Sequence, residues 1–244
     1  MERSLVLHCT TIAAPRPNVL GALPSEGHVL LHYATLAELR PRMPDLSALL
    51  DPQEQQRAAR FVHDIDRERY VLGHGYLRDV LGAATGQAPQ ALTFQRGPFG
   101  KPTIDAIPLH FNFSDTKDAV LLAIAHQELG VDIESMSRRV NHERVAEHYF
   151  TPEEITDINA SPDRKRRFLD FWTRKEAVLK ASGVGIMDDL RALRVDAERN
   201  SIRIIHDDFV RMAAPEYHVQ SFAIGEEHLV SVASRSTCQL SLAS

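Results

Sequence analysis

The seven consecutive apolar residues from Ala119 to Ala125 form the longest uninterrupted hydrophobic run in the chain. Such a run predicts a strand buried on both faces, and it is far shorter than the roughly 20 residues needed to span a bilayer. Polar residues at 126–128 predict a turn, and residues 130–134 predict a second strand, so we expect a β-hairpin. The fold must bury this hairpin in a core, and we expect no membrane segment.

The composition agrees with a globular protein that has room for such a core. Of the 244 residues, 43 % are hydrophobic and 25 % are charged, as in ordinary folded domains and unlike disordered chains. A net charge of -5 gives no general attraction to nucleic acid or to anionic lipid. The two cysteines, at opposite ends of the sequence, form neither a disulfide framework nor a zinc motif. We therefore expect a cytoplasmic monomer that binds neither nucleic acid nor membranes.

Helix-start signals occur twice along the chain. Asp51-Pro52-Gln53-Glu54 and Thr151-Pro152-Glu153-Glu154 each combine an N-cap residue, a proline and a glutamate three residues after the cap. Each signal is followed by a longer amphipathic segment and then by short strands. This order predicts an α+β fold of two similar halves, residues 1–127 and 128–244. The signal is also a common helix start in its own right, which is the alternative explanation.

The segment Gly130-Val131-Asp132-Ile133-Glu134 carries the first chemical signal. Alternate side chains of a strand share a face, so Val131 and Ile133 can enter the core while Asp132 and Glu134 point together to the other side. Two adjacent carboxylates repel each other unless a cation neutralises them, and oxygen ligands at this spacing suit Mg²⁺. A solvated polar face of an edge strand is the alternative.

A helical segment, residues 168–180, carries the second signal. Glu176 and Lys180 are four residues apart, so they share one flank of the helix, where the carboxylate could complete a metal site and the ammonium could reach a phosphate. An ordinary surface ion pair is the alternative. A neighbouring stripe is apolar apart from one lysine and predicts a core-facing surface: Phe168, Phe171, Trp172, Lys175 and Leu179.

These two segments and two upstream ones occur in an order that resembles the 4'-phosphopantetheinyl transferases of the surfactin-synthetase-activating type. The resemblance extends from about residue 50 to 185, and its strongest part is the block from Trp172 to Lys180, because Trp-x-x-Lys-Glu-Ala-x-x-Lys is rare by chance. The upstream motifs are Phe99-Gly100-Lys101-Pro102 and Phe111-Asn112-Phe113-Ser114. The resemblance implies a pseudo-twofold α+β fold with the active site between the halves. It also implies transfer of the phosphopantetheine arm of coenzyme A to a serine of an apo acyl or peptidyl carrier protein.

The resemblance further implies roles for individual residues. Asp132, Glu134 and Glu176 match the carboxylates that hold Mg²⁺, with Mn²⁺ as the alternative ion, and Glu176 also matches the base for the incoming serine. Lys180 matches a catalytic lysine that contacts the coenzyme A phosphates. The residues that the resemblance places in coenzyme A binding are Arg57, Arg69, Lys101, Pro102, Ser114, Trp172, Lys175 and Lys180.

One position departs from the family pattern. The family has a histidine that binds the 3'-phosphate of coenzyme A directly after the motif serine, and this chain has Asp115 there. Because an acid repels a phosphate, Lys117 or the arginines are expected to make that contact. Two alternatives to transfer stay open at this point: a Mg²⁺-dependent phosphodiesterase acting on a phosphate ester, and a non-catalytic protein that binds coenzyme A or a carrier.

Overall fold

The computed structural model describes residues 3–18, 23–104, 108–184 and 190–243. These residues form two five-stranded sheets, a two-stranded sheet and a set of helices. The strands are β1 (Arg3–Thr11), β2 (Pro17–Asn18), β3 (His28–Thr35), β4 (Gln95–Arg96), β5 (Pro102–Thr103), β6 (His110–Asp115), β7 (Ala119–Ala125), β8 (Leu129–Ser135), β9 (Arg199–Ile204), β10 (Glu216–Ile224), β11 (His228–Ser234) and β12 (Gln239–Ala243). The helices are α1 (Leu36–Leu39), α2 (Met43–Ala48), α3 (Pro52–Ala59), α4 (Asp64–Thr85), α5 (His142–Tyr149), α6 (Pro152–Ala160), α7 (Arg164–Ser182) and α8 (Asp207–Met212).

The expected α+β class is confirmed, and so are most of the predicted elements. Strand β3 begins at His28 as expected, and the three strands predicted near the C-terminus appear as β9, β10 and β11. The long helix α7 ends at Ser182, where Gly183 caps it with a φ of 73° in the left-handed region that glycine adopts most readily. Within the described ranges, no helix is both long and apolar enough to cross a membrane.

The predicted β-hairpin is wrong. Strand β7 pairs with β3 and β6 in the first sheet, whose order is β2-β12-β3-β7-β6. Strand β8 instead pairs with β11 in the second sheet, whose order is β8-β11-β10-β1-β9. The short turn at 126–128 therefore carries the chain from one sheet to the other, and the apolar faces of β7 and β8 meet in a core between the two sheets. A run that is buried on both faces is compatible with either arrangement.

The two sheets contain the same local strand order. In one, β3 pairs with β7 and β7 with β6; in the other, β8 pairs with β11 and β11 with β10, and all four pairings are antiparallel. The elements between the first and second strand of each set include a short helix followed directly by a long one, α3 and α4 or α6 and α7. The terminal strands cross over, because β1 lies in the second sheet and β12 in the first. The division at residues 127 and 128 stays a prediction.

Both predicted helix starts carry a capping box, and the glutamate of each box also pairs with a cation from the following long helix. Glu54 Oε2 accepts a 2.5 Å hydrogen bond from Arg78 Nε. Glu154 Oε2 accepts a 2.8 Å bond from Lys175 Nζ, and both of these side chains are fully buried. Because an unpaired buried charge is costly, each pair fixes its short helix against its long one.

Helix α7 packs directly on the backbone of β8 at Gly130. A Cβ atom at this position would lie 2.1 Å from the carbonyl oxygen of Ala177 and 2.2 Å from the amide nitrogen of Ala181. Because both atoms belong to the helix backbone, no side-chain rotation would relieve the clash. The glycine thus sets how closely the helix approaches the strand.

We expect Gly130→Ala to destabilise the protein by about 3 kcal/mol, because the helix backbone must move away from β8 to admit the methyl group. Urea unfolding followed by circular dichroism measures the loss. Gly97→Ala is the matched control, since a Cβ atom at Gly97 would lie at an ordinary 3.6 Å from the Lys101 carbonyl oxygen. If the Gly130 variant were as stable as the wild type, α7 could not lie as close to the backbone of β8 as the structure describes.

Candidate active site

The side chains of β8 divide between two environments, as the alternation predicts. Val131 and Ile133 pack in the core between the sheets. Asp132 and Glu134 lie on the other face, which α7 covers, and they are only 6 % and 7 % exposed. Strand β8 does lie at the edge of its sheet, but a solvated polar face is wrong, since both carboxylates are buried under a helix.

Lys180 of α7 reaches the first of these carboxylates. Its Nζ atom lies 2.6 Å from Asp132 Oδ1 and donates a 2.9 Å hydrogen bond to Ser114 Oγ. The Ser114 hydroxyl donates in turn to Asp132 Oδ1 at 2.9 Å. Three predicted site residues, from β6, β8 and α7, are thus joined in one triangle of hydrogen bonds.

Two polar side chains of β6 hold the two sheets together at this point. Ser114 Oγ accepts a 3.3 Å hydrogen bond from the Ile133 amide, and Asn112 Oδ1 accepts a 2.8 Å bond from the Val131 amide. Because β6 and β8 belong to different sheets, these bonds close the gap between them. The triangle of Lys180, Asp132 and Ser114 therefore lies where the two sheets meet.

The carboxylates of the site outnumber the cations that face them. Burial, with the Asp132 charge as a second cause, raises the pKa of Glu134 to about 7, and the same two causes raise the pKa of Glu176 to about 7. Arg138 contacts Glu134, and Lys180 is the other nearby cation. Among the described residues, the buried atoms Asp132 Oδ2 and Glu176 Oε1 have no hydrogen-bond partner.

This set of groups fits a divalent cation. Buried oxygen atoms without partners are costly, and a hard cation satisfies them by direct ligation. A cation would also favour the ionised forms of Glu134 and Glu176, whose burial otherwise favours the neutral forms. Asp132, Glu134 and Glu176 are the residues that would hold Mg²⁺.

A cleft of about 370 Å³ opens beside Glu176 and Lys180. Lys101, in the turn that joins β4 to β5, and Pro102, the first residue of β5, line its other side. Gly100, in the same turn, has a φ of +83°. Lys101 Nζ donates a 3.0 Å hydrogen bond to a backbone carbonyl oxygen of β8, and burial lowers the pKa of this lysine to about 8. The cleft thus brings two further predicted residues close to the carboxylates.

The remaining basic residues lie at the outer end of β6. Arg69 Nε is 3.4 Å from Asp115 Oδ2, directly after Ser114 in the chain. The exposed Arg57 has its guanidinium 5.3 Å from the centre of the Tyr70 ring. Arg69 also lies 3.5 Å from Asp66 Oδ1, so Asp115 is one of two carboxylates that compete with a phosphate for this guanidinium. Lys117 is exposed near the same end.

Two predicted coenzyme A residues lie on the core side of α7. Lys175 Nζ is fully buried and bonds Glu154 and the carbonyl oxygens of Tyr149 and Leu190. Trp172 is partly buried against Phe168, with ring centroids 6.1 Å apart. The contacts described for both residues are with the core. Their implied role in shaping the pocket stays a prediction.

The predicted site residues do not include two groups that the structure places there. Asn112 binds β8 as described, and its alternation with Ser114 along β6 was the signal available for it. Arg138 follows the end of β8, and no pattern in the sequence connects it with Glu134. The turn after β8 places the Arg138 guanidinium against the Glu134 carboxylate.

Comparison with known proteins points to one family. A model described as the 4'-phosphopantetheinyl transferase superfamily matches residues 128–233. A protein of Nostoc sp. named 4'-phosphopantetheinyl transferase HetI is 33 % identical over 179 residues, covering 70 % of this chain and 75 % of that protein. The Bacillus subtilis 4'-phosphopantetheinyl transferase Sfp is 27 % identical over 174 residues (70 % and 74 %), and a Thraustochytrium phosphopantetheinyl transferase is 30 % identical over 206 residues (77 % and 71 %).

We expect Glu176→Gln to stabilise the metal-free protein at pH 8 by about 1 to 2 kcal/mol, a value reduced for solvent screening. A pKa raised from 4.5 to about 7 means that the folded state holds a proton that the unfolded state releases between those values. Wild-type stability therefore falls as the pH rises from about 4.5 to 7, and the amide variant lacks this contribution. Urea unfolding in EDTA at pH 4 and pH 8 measures it.

The exposed Glu153→Gln is the matched control, and it is expected to leave stability within about 0.5 kcal/mol at both pH values. Adding Mg²⁺ at pH 8 should stabilise the wild type more than the Glu176 variant, because the variant lacks one ligand. A Glu176 variant that is no more stable than the wild type in EDTA at pH 8 would show that this carboxylate is not under electrostatic strain.

Proposed function

The chain belongs to the 4'-phosphopantetheinyl transferase superfamily and is a 4'-phosphopantetheinyl transferase, and we propose that it transfers the 4'-phosphopantetheine arm of coenzyme A to a serine of an apo acyl or peptidyl carrier protein with Mg²⁺ bound. The observation that carries the proposal is the group formed by the buried Asp132 and Glu134 and the half-buried Glu176, with Lys180 beside it, at the edge of a cleft. An excess of carboxylates suits a cation, and a cation together with a lysine suits a pyrophosphate.

The reaction requires the serine oxygen to attack the β-phosphorus of coenzyme A while the bond to the adenosine bisphosphate leaving group breaks. Asp132, Glu134 and Glu176 would hold a Mg²⁺ ion, which would supply positive charge where negative charge accumulates in the reaction. Lys180 lies at the cleft, where its ammonium can donate to those oxygens and stabilise the charge on the leaving group. Since Ser114 and Asp132 hold this ammonium in place before substrate arrives, little reorganisation is needed.

Glu176 would accept the proton of the serine, directly or through a water that it orients. A bound cation would keep this carboxylate ionised at neutral pH, the form that can take a proton. The remaining contribution is positioning of the two substrates, as in other phosphoryl transfers.

We further propose that the anionic end of coenzyme A is held by the basic residues near β6 and the turn at Lys101. Arg69 contacts Asp115 at the end of β6, Arg57 lies over the Tyr70 ring of α4, and Lys101 lies in the cleft. The repeated strand order and the two glutamate–cation pairs support a fold of two similar halves. We also propose that the protein acts as a monomer.

We expect the purified protein, given coenzyme A, Mg²⁺ and an apo carrier, to add one phosphopantetheine to the carrier, as intact mass spectrometry would detect. Lys180→Met should lower kcat by about 100- to 1000-fold, because charge on the leaving group loses its donor. Arg199→Gln, an exposed charge on β9, is the matched control and should keep wild-type turnover. EDTA should abolish transfer, and Mg²⁺ should restore it.

Omitting the carrier separates transfer from the phosphodiesterase alternative, because a transferase consumes no coenzyme A without an acceptor. Failure to modify any of several acyl and peptidyl carriers would contradict the proposed acceptor class. Full activity of Lys180→Met would contradict its proposed role at the phosphates.

We expect Asp115→Asn to lower the KM for coenzyme A several-fold, since it frees Arg69 from a competing carboxylate. Arg69→Gln should raise the KM about 10-fold with a smaller change in kcat. Both effects should shrink when dephospho-coenzyme A, which lacks the 3'-phosphate, replaces coenzyme A. Steady-state kinetics with the two substrates measures this, and equal effects on both would place the 3'-phosphate elsewhere.

A further inference from the structure

Three potential metal ligands, His8, Glu216 and His218, lie together on the second sheet, away from the cleft. Burial alternates along β1 and β10, so that Leu7 and Val219 enter the core under α7 while these three residues lie on the opposite face. Strands β10 and β11 separate β1 from β8, which corresponds to about 14 Å across the sheet. The cluster is therefore separate from the carboxylates of the proposed transfer site.

The side chains of this cluster converge. His8 and His218 are direct partners in the parallel pairing of β1 with β10, and their rings stack with centroids 4.8 Å apart and planes at 11°. Glu216 Oε1 lies 2.5 Å from His8 Nε2 and 3.9 Å from His218 Nε2. One ligand atom from each residue lies within 4.8 Å of the other two. Small side-chain rotations would bring all three to bonding distance from one ion.

The surroundings of His218 also suit ligation. Its Nδ1 atom is 3.2 Å from Thr237 Oγ1. An imidazole that donates its Nδ1 proton to a hydroxyl keeps the Nε2 lone pair for a metal, and such an outer partner fixes the ring orientation. The side chains of His8, His218 and Glu216 are 30 %, 27 % and 49 % exposed, so an ion can enter from solvent and keep a water ligand.

We propose that His8, Glu216 and His218 form a Zn²⁺ site with water in the fourth position. Two imidazoles and one carboxylate are a donor set that zinc uses, whereas Mg²⁺ prefers oxygen ligands alone. Arg199, the partner of His8 on β9, is exposed, so solvent screens its charge. The ion joins β1 to β10, whose ligands are more than 200 residues apart in the sequence, and so stabilises the folded state.

The test is calorimetric titration of the full chain with zinc chloride in buffer containing excess Mg²⁺, which competes at the carboxylates of the cleft. We expect one Zn²⁺ per chain with a micromolar or lower Kd. His8→Gln and His218→Gln should each weaken binding at least 10-fold. At a free zinc concentration 100 times the wild-type Kd, Tm should rise by about 5 °C in the wild type and by about half of that or less in these variants.

His63→Gln, which removes an exposed histidine outside the cluster, is the matched control and should bind zinc as the wild type does. Asp132→Asn should also keep zinc binding, while loss of binding in that variant would place the ion in the cleft and overturn the proposal. Millimolar affinity, or undiminished binding by His8→Gln and His218→Gln, would overturn it as well. Glu216→Gln provides a third variant that nearly preserves side-chain shape, and zinc-free unfolding midpoints show that each variant is folded.

Discussion

The contact between helix α7 and strand β8 determines the geometry of everything around the cleft. The helix lies against the strand backbone at Gly130, where no side chain of any size could be accommodated. This closeness lets the ammonium of Lys180 reach Asp132 at 2.6 Å. It also shields Asp132, Glu134 and Glu176 from water. Ionised carboxylates are unfavourable in such surroundings unless a cation neutralises them, so the site favours binding of a cation.

Opposite charges serve two different purposes in this protein. The pairs Glu54–Arg78 and Glu154–Lys175 are internally matched, and the protein's own groups satisfy each cation. Such pairs fix the packing of helices and leave nothing for a ligand. The group around Asp132 is unmatched, because Asp132 Oδ2 and Glu176 Oε1 have no partner among the described residues. The difference between matched and unmatched buried charge separates structural residues from candidate functional ones, even within the single turn of α7 that carries Lys175 and Glu176.

Local patterns predicted the elements well and their pairing poorly. The capping boxes, the end of α7 at Gly183 and the two faces of β8 follow from short-range rules of spacing and side-chain chemistry. The hairpin failed because strands joined by a tight turn usually pair, and an apolar run buried on both faces fits a strand between two sheets equally well. Similarly, the bonds from Asn112 and Ser114 to β8 link strands of different sheets, which no local rule describes.

The sequence by itself determined which residues carry chemistry: alternation placed Asp132 and Glu134 on one face, helical spacing placed Glu176 and Lys180 on one flank, and the order of motifs indicated the family. Only the tertiary structure decided which of these groups meet. It brought Lys180 to Asp132 and Ser114, turned Lys175 into the core, paired Arg69 with Asp115, and stacked His8 on His218. The physical reason is that spacing along a helix or strand fixes the direction of a side chain within its own element. Its charged or polar partner comes from another element, between 21 residues (Lys175 and Glu154) and 210 residues (His8 and His218) away in the sequence, and tertiary packing selects that partner.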